Sequence, residues 1–178
     1  MTTAAPRPVA ASWLAPAAIR LDAHLAGRAE VLGLLADLLA PRVGESTGTI
    51  LAALRHRESL GSTALGQGVA LPHARIDGLD VPAAAFVRLR SPLELGAPDG
   101  RPVLFVLGLL LPASSPQRQL RLLADVATHF SDFEFRARMA RAHDVDAAWR
   151  LLDPIAAGGV EAPRASIRQG PGRRDAAP

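Results

Sequence analysis

The spacing of apolar residues predicts two helices in the first third of the chain. Residues 29–40 carry apolar side chains every three or four positions, which places one stripe on a helix: Val31, Leu34, Leu35, Leu38 and Leu39. Pro41 predicts the end of this helix, because proline lacks the amide that a further turn needs. A second helix is expected over 49–57, with three side chains facing inward: Ile50, Leu51 and Leu54.

The middle of the chain has the pattern of strands. Residues 68–71 predict a short buried strand that Pro72 stops. Residues 83–90 alternate, which places Arg88 and Arg90 on the face opposite to Ala85, Val87 and Leu89. Residues 103–111 (VLFVLGLLL) are apolar at every position, which predicts a central strand covered by helices on both sides.

The last third predicts three more helices. One begins at Ser115-Pro116, with an apolar stripe of four residues: Leu120, Leu123, Ala124 and Ala127. The SDFE sequence at 131–134 is a capping box that opens the next helix, and Asp144 can cap the last. Helices on both sides of a run of strands favour a layered α/β domain.

Composition bounds the kind of protein. All 20 basic residues are arginine, the formal net charge is +3, and the chain has no cysteine, which excludes disulfides, thiol catalysis and cysteine-bound metals. A net charge this small does not indicate nucleic-acid binding. The apolar run of 103–111 is far below the roughly 20 residues of a membrane span. We expect no membrane insertion and a cytoplasmic location.

The ends of the chain differ from its middle. Residues 1–11 are rich in alanine, threonine and proline and predict a disordered leader. Residues 154–178 are rich in proline, glycine and arginine with little to bury, and predict a flexible tail. One domain is expected between them, over 12–153.

Candidate chemistry is concentrated in residues 57–75 (RESLGSTALGQGVALPHAR). Pro72 restrains the backbone before His73, so the imidazole can project from a rigid element. Arg57 and Arg75 offer planar donors suited to phosphate oxygens. Four further loop residues offer hydroxyl or backbone N–H donors: Ser62, Thr63, Gly66 and Gly68. This set suits phosphoryl transfer through nitrogen, although a histidine after proline is also an ordinary structural residue.

Other readings of these residues have less support. The glycines match neither a Walker A loop nor G-x-G-x-x-G, and the chain has no lysine. The five histidines show no metal-ligand spacing, so no metal site is expected. His56 lies near a helix end, where we expect a cation to offset the helix dipole.

The string LGSTALGQGVALPHAR resembles the active-site signature of the type 2 enzyme IIA domains of the bacterial phosphoenolpyruvate-dependent phosphotransferase system, the fructose/mannitol and nitrogen-regulatory IIA proteins. Softer similarity covers most of 12–153. The resemblance implies a three-layer α/β/α sandwich with a mixed central sheet. It implies that His73 is the phosphorylated residue and Arg57 the site arginine. Where the family usually has a second histidine, this chain has Gln119.

The resemblance also implies partners. The donor would be an HPr-type phosphocarrier, and the acceptor a IIB domain or a regulated target protein, with no cofactor in the chain itself. The uncharged Gln119 keeps a second hypothesis open: a non-catalytic protein-binding module that has the fold without productive transfer. A nucleic-acid-binding role is a third and more distant hypothesis, which depends on the arginines of the tail.

Overall fold

The computed structural model describes residues 13–114 and 116–158, so the predicted leader, Ser115 and most of the predicted tail lie outside the described residues. The described part contains six strands: β1 Ile19–Ala23, β2 Ala64–Gly66, β3 Val69–Ala70, β4 His73–Ile76, β5 Ala83–Leu93 and β6 Val103–Pro112. It contains five α-helices: α1 Arg28–Val43, α2 Thr47–Ser59, α3 Pro116–Ser131, α4 Phe133–Arg141 and α5 Val145–Gly158. A short 3-10 turn, Pro16–Ala18, precedes β1.

The strands form one mixed sheet in the order β1-β5-β6-β3-β2, with β4 also paired to β6. Strands β5 and β6 are antiparallel, whereas β1 runs parallel to β5 and both β3 and β4 run parallel to β6. The predicted central strand is confirmed, because β6 pairs on both of its edges and nine of its ten residues are buried. The parallel register places His73 opposite Leu109 and Arg75 opposite Leu111.

Helices cover both faces of the sheet, which confirms the three-layer sandwich. Helices α1 and α2 pack together on one face, where α1 contacts β5 and α2 contacts β4. Helices α3, α4 and α5 pack together on the other face. Phe130 of α3 lies 6.3 Å from Phe86 of β5 between ring centroids, and 5.1 Å from Phe135 of α4. Aromatic packing of this kind joins the helical layer to the centre of the sheet.

Two predicted helix boundaries at proline are wrong. Helix α1 continues through Pro41 to Val43 and ends at Gly44, whose left-handed backbone lets its N–H bond to the Ala40 carbonyl. Helix α5 continues through Pro154 to Gly158, and Ile155 is buried, so the first residues of the predicted tail belong to the fold. In both helices the proline lies close to the C-terminal end, where the missing amide costs a single hydrogen bond.

The alternation predicted for residues 83–90 is also wrong, since Ala83 to Leu89 are all buried. Strand β5 lies between β1 and β6 with helices on both faces, so neither face is open to water. Arg88 is buried because its guanidinium donates to the Asp22 carboxylate and to three carbonyls at the end of α4: Met139, Ala140 and Ala142. It therefore caps a helix from within the sheet.

The apolar stripe predicted for α3 is displaced by a few positions. Leu120 is 69% exposed, and the buried positions of α3 are Gln119, Leu122, Val126 and Phe130. The predicted capping box is replaced by a simpler cap, because Ser131 ends α3 and the Asp132 carboxylate accepts from Glu134 N. Asp144 caps α5 as predicted, by accepting from Ala147 N. No helix of residues 13–114 and 116–158 is long and apolar enough to cross a membrane.

Replacing Gly108 with alanine should destabilise the fold. A Cβ at Gly108 would lie 2.7 Å from Leu35 Cδ2, and Leu35 is fully buried between α1 and the sheet. We expect Gly108→Ala to lower the free energy of unfolding by about 1–3 kcal/mol, the usual cost of overpacking a core. Gly33→Ala is the matched control, because no atom lies within 4 Å of its added Cβ and it lies inside α1. That variant should gain roughly 0.5–1 kcal/mol in denaturant unfolding. Equal stability of the two variants would contradict the packing described.

Candidate active site

Three elements bring four of the predicted site residues together around one pocket. His73 opens β4, and the two-residue period of a strand places Arg75 on the same face while Ala74 and Ile76 are buried. Arg57 comes from the last turn of α2, and Gln119 from the first turn of α3. All four line a pocket of about 490 Å³. These residues come together because β4 pairs in parallel with the C-terminal half of β6, and α3 begins just after β6 ends.

The two ring nitrogens of His73 have different partners. Arg57 Nε donates to Nε2 over 3.1 Å, and a guanidinium can only donate, so Nε2 is the unprotonated nitrogen. Nδ1 lies 2.8 Å from the Leu71 carbonyl oxygen and therefore carries the proton and donates to it. A backbone carbonyl therefore holds the second ring nitrogen. The ring is thus held as the neutral tautomer with its lone pair on Nε2.

The surroundings of His73 favour the neutral ring. Burial of the imidazole lowers its pKa below the ordinary value of 6.5, and the positive charges of Arg57 and Arg75 lower it further. The hydrogen bond to Leu71 and the charge of Glu58 act in the opposite direction. Since the net pKa is lowered, the neutral form with a lone pair on Nε2 predominates near pH 7.

Gln119 and Arg75 form a second unit beside His73. Gln119 is only 5% exposed. Its Oε1 accepts from Arg75 Nε over 2.9 Å, and its Nε2 donates to the Pro112 carbonyl at the end of β6. The buried amide is therefore held at both ends, and it orients a guanidinium that lines the pocket. The guanidinium of Arg75 has further N–H groups besides the one that Gln119 accepts.

Four predicted phosphate donors lie elsewhere. The Ser62 hydroxyl donates to the Leu95 carbonyl, and the Thr63 hydroxyl donates to the Glu58 carboxylate. Gly66 and Gly68 have φ of +95° and +80° and form the tight turn between β2 and β3. None of the four lines the pocket of His73. The hydroxyls and glycines build the loop around the site, and we do not assign them contacts with phosphate.

The pocket also contains residues that the sequence did not point to. His56 lines it although we expected only a role at the helix end, and it is exposed. Leu60 and Leu120, 73% and 69% exposed, line it as well. The sequence could have pointed to these two leucines only as exposed apolar residues. Their exposure depends on which face of the fold each one occupies, and the sequence did not settle that. The pocket combines cationic donors with an apolar rim.

The residues that the structure describes include no group of three or more His, Asp, Glu or Cys side chains placed to bind a metal ion. The pocket presents one unprotonated nitrogen on His73 and positively charged donors on Arg57 and Arg75. A nitrogen nucleophile next to such donors defines the class of the site, which is suited to receiving a compact anionic group such as a phosphoryl.

Comparison with known proteins gives the family. The chain matches the family "Phosphoenolpyruvate-dependent sugar phosphotransferase system, EIIA 2" over residues 12–154, and it belongs to that family. Members are components of a phosphotransferase system. The matched segment contains the complete pocket described above.

Individual relatives agree with this assignment. The chain is 34% identical over 123 residues to a nitrogen regulatory protein of Pseudomonas aeruginosa, a match that covers 68% of this chain and 80% of that protein. The crystal structure of nitrogen regulatory protein IIA-Ntr from Neisseria meningitidis is similar with a TM-score of 0.75 at 32% identity, over 78% of this chain and 95% of that one. The mannitol enzyme IIA of Escherichia coli, solved in complex with phosphorylated enzyme IIB, shares the fold with a TM-score of 0.60 at 17% identity, over 76% and 94%.

Replacing Arg57 should raise the pKa of His73. Arg57→Gln removes a positive charge next to the imidazole and weakens the hydrogen bond that favours the unprotonated Nε2, and both changes stabilise the protonated ring. An NMR titration of the His73 ring should show the pKa moving upward from its lowered value. Arg55→Gln is the matched control, since Arg55 is exposed on the same helix and does not line the pocket. An equal pKa in both variants would show that Arg57 does not act on the ring.

Proposed function

We propose that the protein is a phosphoryl carrier that accepts a phosphoryl group from an HPr-type donor on Nε2 of His73. The observation that carries the proposal is the tautomer of His73, whose lone pair lies on the nitrogen bonded to Arg57, in a pocket that Arg75 also lines. A neutral imidazole held in this way is a nucleophile at near-neutral pH. Membership of the phosphotransferase family supports the same chemistry.

Transfer to His73 needs no proton to leave the ring. The Nε2 lone pair attacks phosphorus in line with the donor nitrogen, so a new N–P bond forms as the donor N–P bond breaks. The electron pair of the broken bond returns to the donor. Nδ1 keeps its proton, and the hydrogen bond to the Leu71 carbonyl stabilises the positive charge that the phosphorylated ring acquires.

The arginines stabilise the transferring group. Negative charge spreads over three phosphoryl oxygens during transfer. Arg57 Nε bonds to the Nε2 lone pair before transfer, and the arriving phosphoryl oxygens become its acceptors once that lone pair forms the new bond. Arg75, oriented by Gln119, supplies a second cation on the same pocket. Charged donors fixed before the reaction are usually the largest contribution to such catalysis.

A regulatory carrier fits the observations better than a sugar-transport component. Of two relatives at 34% identity, a nitrogen regulatory protein is matched over 80% of its length, whereas the 2-O-alpha-mannosyl-D-glycerate-specific EIIABC component of Escherichia coli is matched over 23% of its length. In addition, Gln119 stands where a second imidazole would help onward transfer, and an amide cannot take up a proton. In this reading the phosphorylated and unphosphorylated pockets differ in charge and shape, and a target protein distinguishes them through the apolar rim of Leu60 and Leu120.

Phosphorylation should require His73. We expect phosphoenolpyruvate, enzyme I and HPr to add the mass of one phosphate to the protein, in an acid-labile form, and His73→Ala to abolish this gain. His129→Ala is the matched control, because His129 is exposed on α3 and bonds to the Asp125 carbonyl away from the pocket. It should be labelled like the original protein. Intact-mass spectrometry measures all three.

Two outcomes would contradict the carrier proposal. Full labelling of His73→Ala would place the phosphoryl group on another residue. No labelling of the original protein by several HPr-type donors would favour the second hypothesis, a binding module with the same fold.

A further inference from the structure

Glu58 is a nearly buried carboxylate next to the site that the proposed transfer does not use. Its side chain is 7% exposed, and it follows Arg57 directly on α2. It does not line the pocket of His73. A carboxylate so far removed from water needs several partners to offset its lost hydration.

Those partners belong to the loop that leads into the site. Thr63 donates to Glu58 twice, with its hydroxyl over 2.6 Å and with its backbone N–H over 3.2 Å. Arg28 Nε lies 3.3 Å from the carboxylate, and Arg28 Nη2 donates to the Leu95 carbonyl. Glu58 therefore ties α1, α2 and the segment before β2 to one point.

A continuous chain of hydrogen bonds runs from that point to His73. The Thr63 carbonyl accepts from Leu71 N over 3.0 Å, and the Leu71 carbonyl accepts from His73 Nδ1 over 2.8 Å. The second partner of the ring depends on the same loop, because Arg57 Nη1 donates to the Gly61 carbonyl over 3.0 Å. Both contacts of His73 are thus made by groups fixed to the segment that Glu58 holds.

We propose that Glu58, acting through Thr63, is a positioning residue that holds the Leu71 carbonyl in place and so keeps Nε2 of His73 as the nucleophilic nitrogen. The consequence for catalysis rests on the proposed function, whereas the orientation of the ring does not. Glu58 has an electrostatic effect as well, because its negative charge raises the pKa of His73 against the opposite effects of Arg57 and Arg75. A residue that only stabilised the fold would influence neither the tautomer nor the titration of the ring.

The first test uses NMR of the imidazole nitrogens, which reports the tautomer and the pKa without any phosphoryl donor. Thr63→Val removes the hydroxyl bond to Glu58, and Thr63→Ser keeps it. We expect the valine variant to populate the tautomer protonated on Nε2, and the serine variant to retain the pattern of the original protein. A wild-type tautomer in a folded Thr63→Val variant would overturn the positioning role.

The second test removes the charge. Glu58→Gln should move the pKa of His73 further downward, because a negative charge that favours the protonated ring is lost. Glu45→Gln is the matched control, since Glu45 is exposed and precedes α2, which rises about 16 Å from Thr47 to Glu58 at 1.5 Å per residue. An equal pKa of His73 in the two variants would contradict the electrostatic effect of Glu58 on the ring. If Glu58→Gln fails to fold, the two Thr63 variants still decide the positioning role.

The rate of phosphorylation connects the inference to function. Thr63→Val should be labelled on the order of tenfold more slowly than Thr63→Ser, since a small displacement of a reacting group costs up to about a hundredfold. If Thr63→Val changed the tautomer of His73 but left the rate of phosphorylation unchanged, the link to catalysis would be overturned. Failure of the proposed function is distinguishable, because the original protein would then take up no phosphate while the ring measurements would still report on Glu58.

Discussion

One hydrogen bond, from His73 Nδ1 to the Leu71 carbonyl, decides what the site can do. It fixes the proton on one nitrogen and leaves the other as the lone-pair donor. Together with the bond from Arg57 Nε to Nε2, it fixes both the orientation and the tautomer of the ring. The bond depends on position along the sheet, because the register of β4 on β6 sets His73 opposite Leu109 and leaves Leu71 in the connection before it. The chemistry of the pocket is thus a consequence of strand pairing.

The charges of the pocket are almost all permanent. Arg57 and Arg75 contribute two guanidinium cations, and the amide of Gln119 carries no charge. Two imidazoles, those of His56 and His73, also line the pocket, and burial lowers the pKa of His73 there.

The sequence alone predicts those parts of the molecule whose structure follows from the hydrophobic pattern. The unbroken apolar run of β6 predicted a buried strand, as the structure shows. Strand β4, which carries His73 and Arg75, was not predicted, because the expected strand of 68–71 stopped at Pro72. The phase of α3 was missed because Gln119, a polar residue, occupies a buried position that its bonds to Arg75 and Pro112 make favourable. Arg88 was likewise predicted on the face opposite to the apolar residues of its strand, although its hydrogen bonds allow a charged side chain to be buried. The role of Thr63 could not be predicted. The sequence does not show whether its hydroxyl faces a phosphate site or donates to Glu58, as it does in the structure.

The buried guanidinium of Arg88 has a consequence for how the molecule opens. Helix α4 has nine residues, too few to be helical alone, and its last carbonyls bond to Arg88 on β5. Detaching α4 would leave a charged group in the interior of the sheet with only the Asp22 carboxylate beside it. The contacts of Arg88 therefore couple the end of α4 to the centre of the sheet, because detaching the helix would cost a buried guanidinium its carbonyl partners.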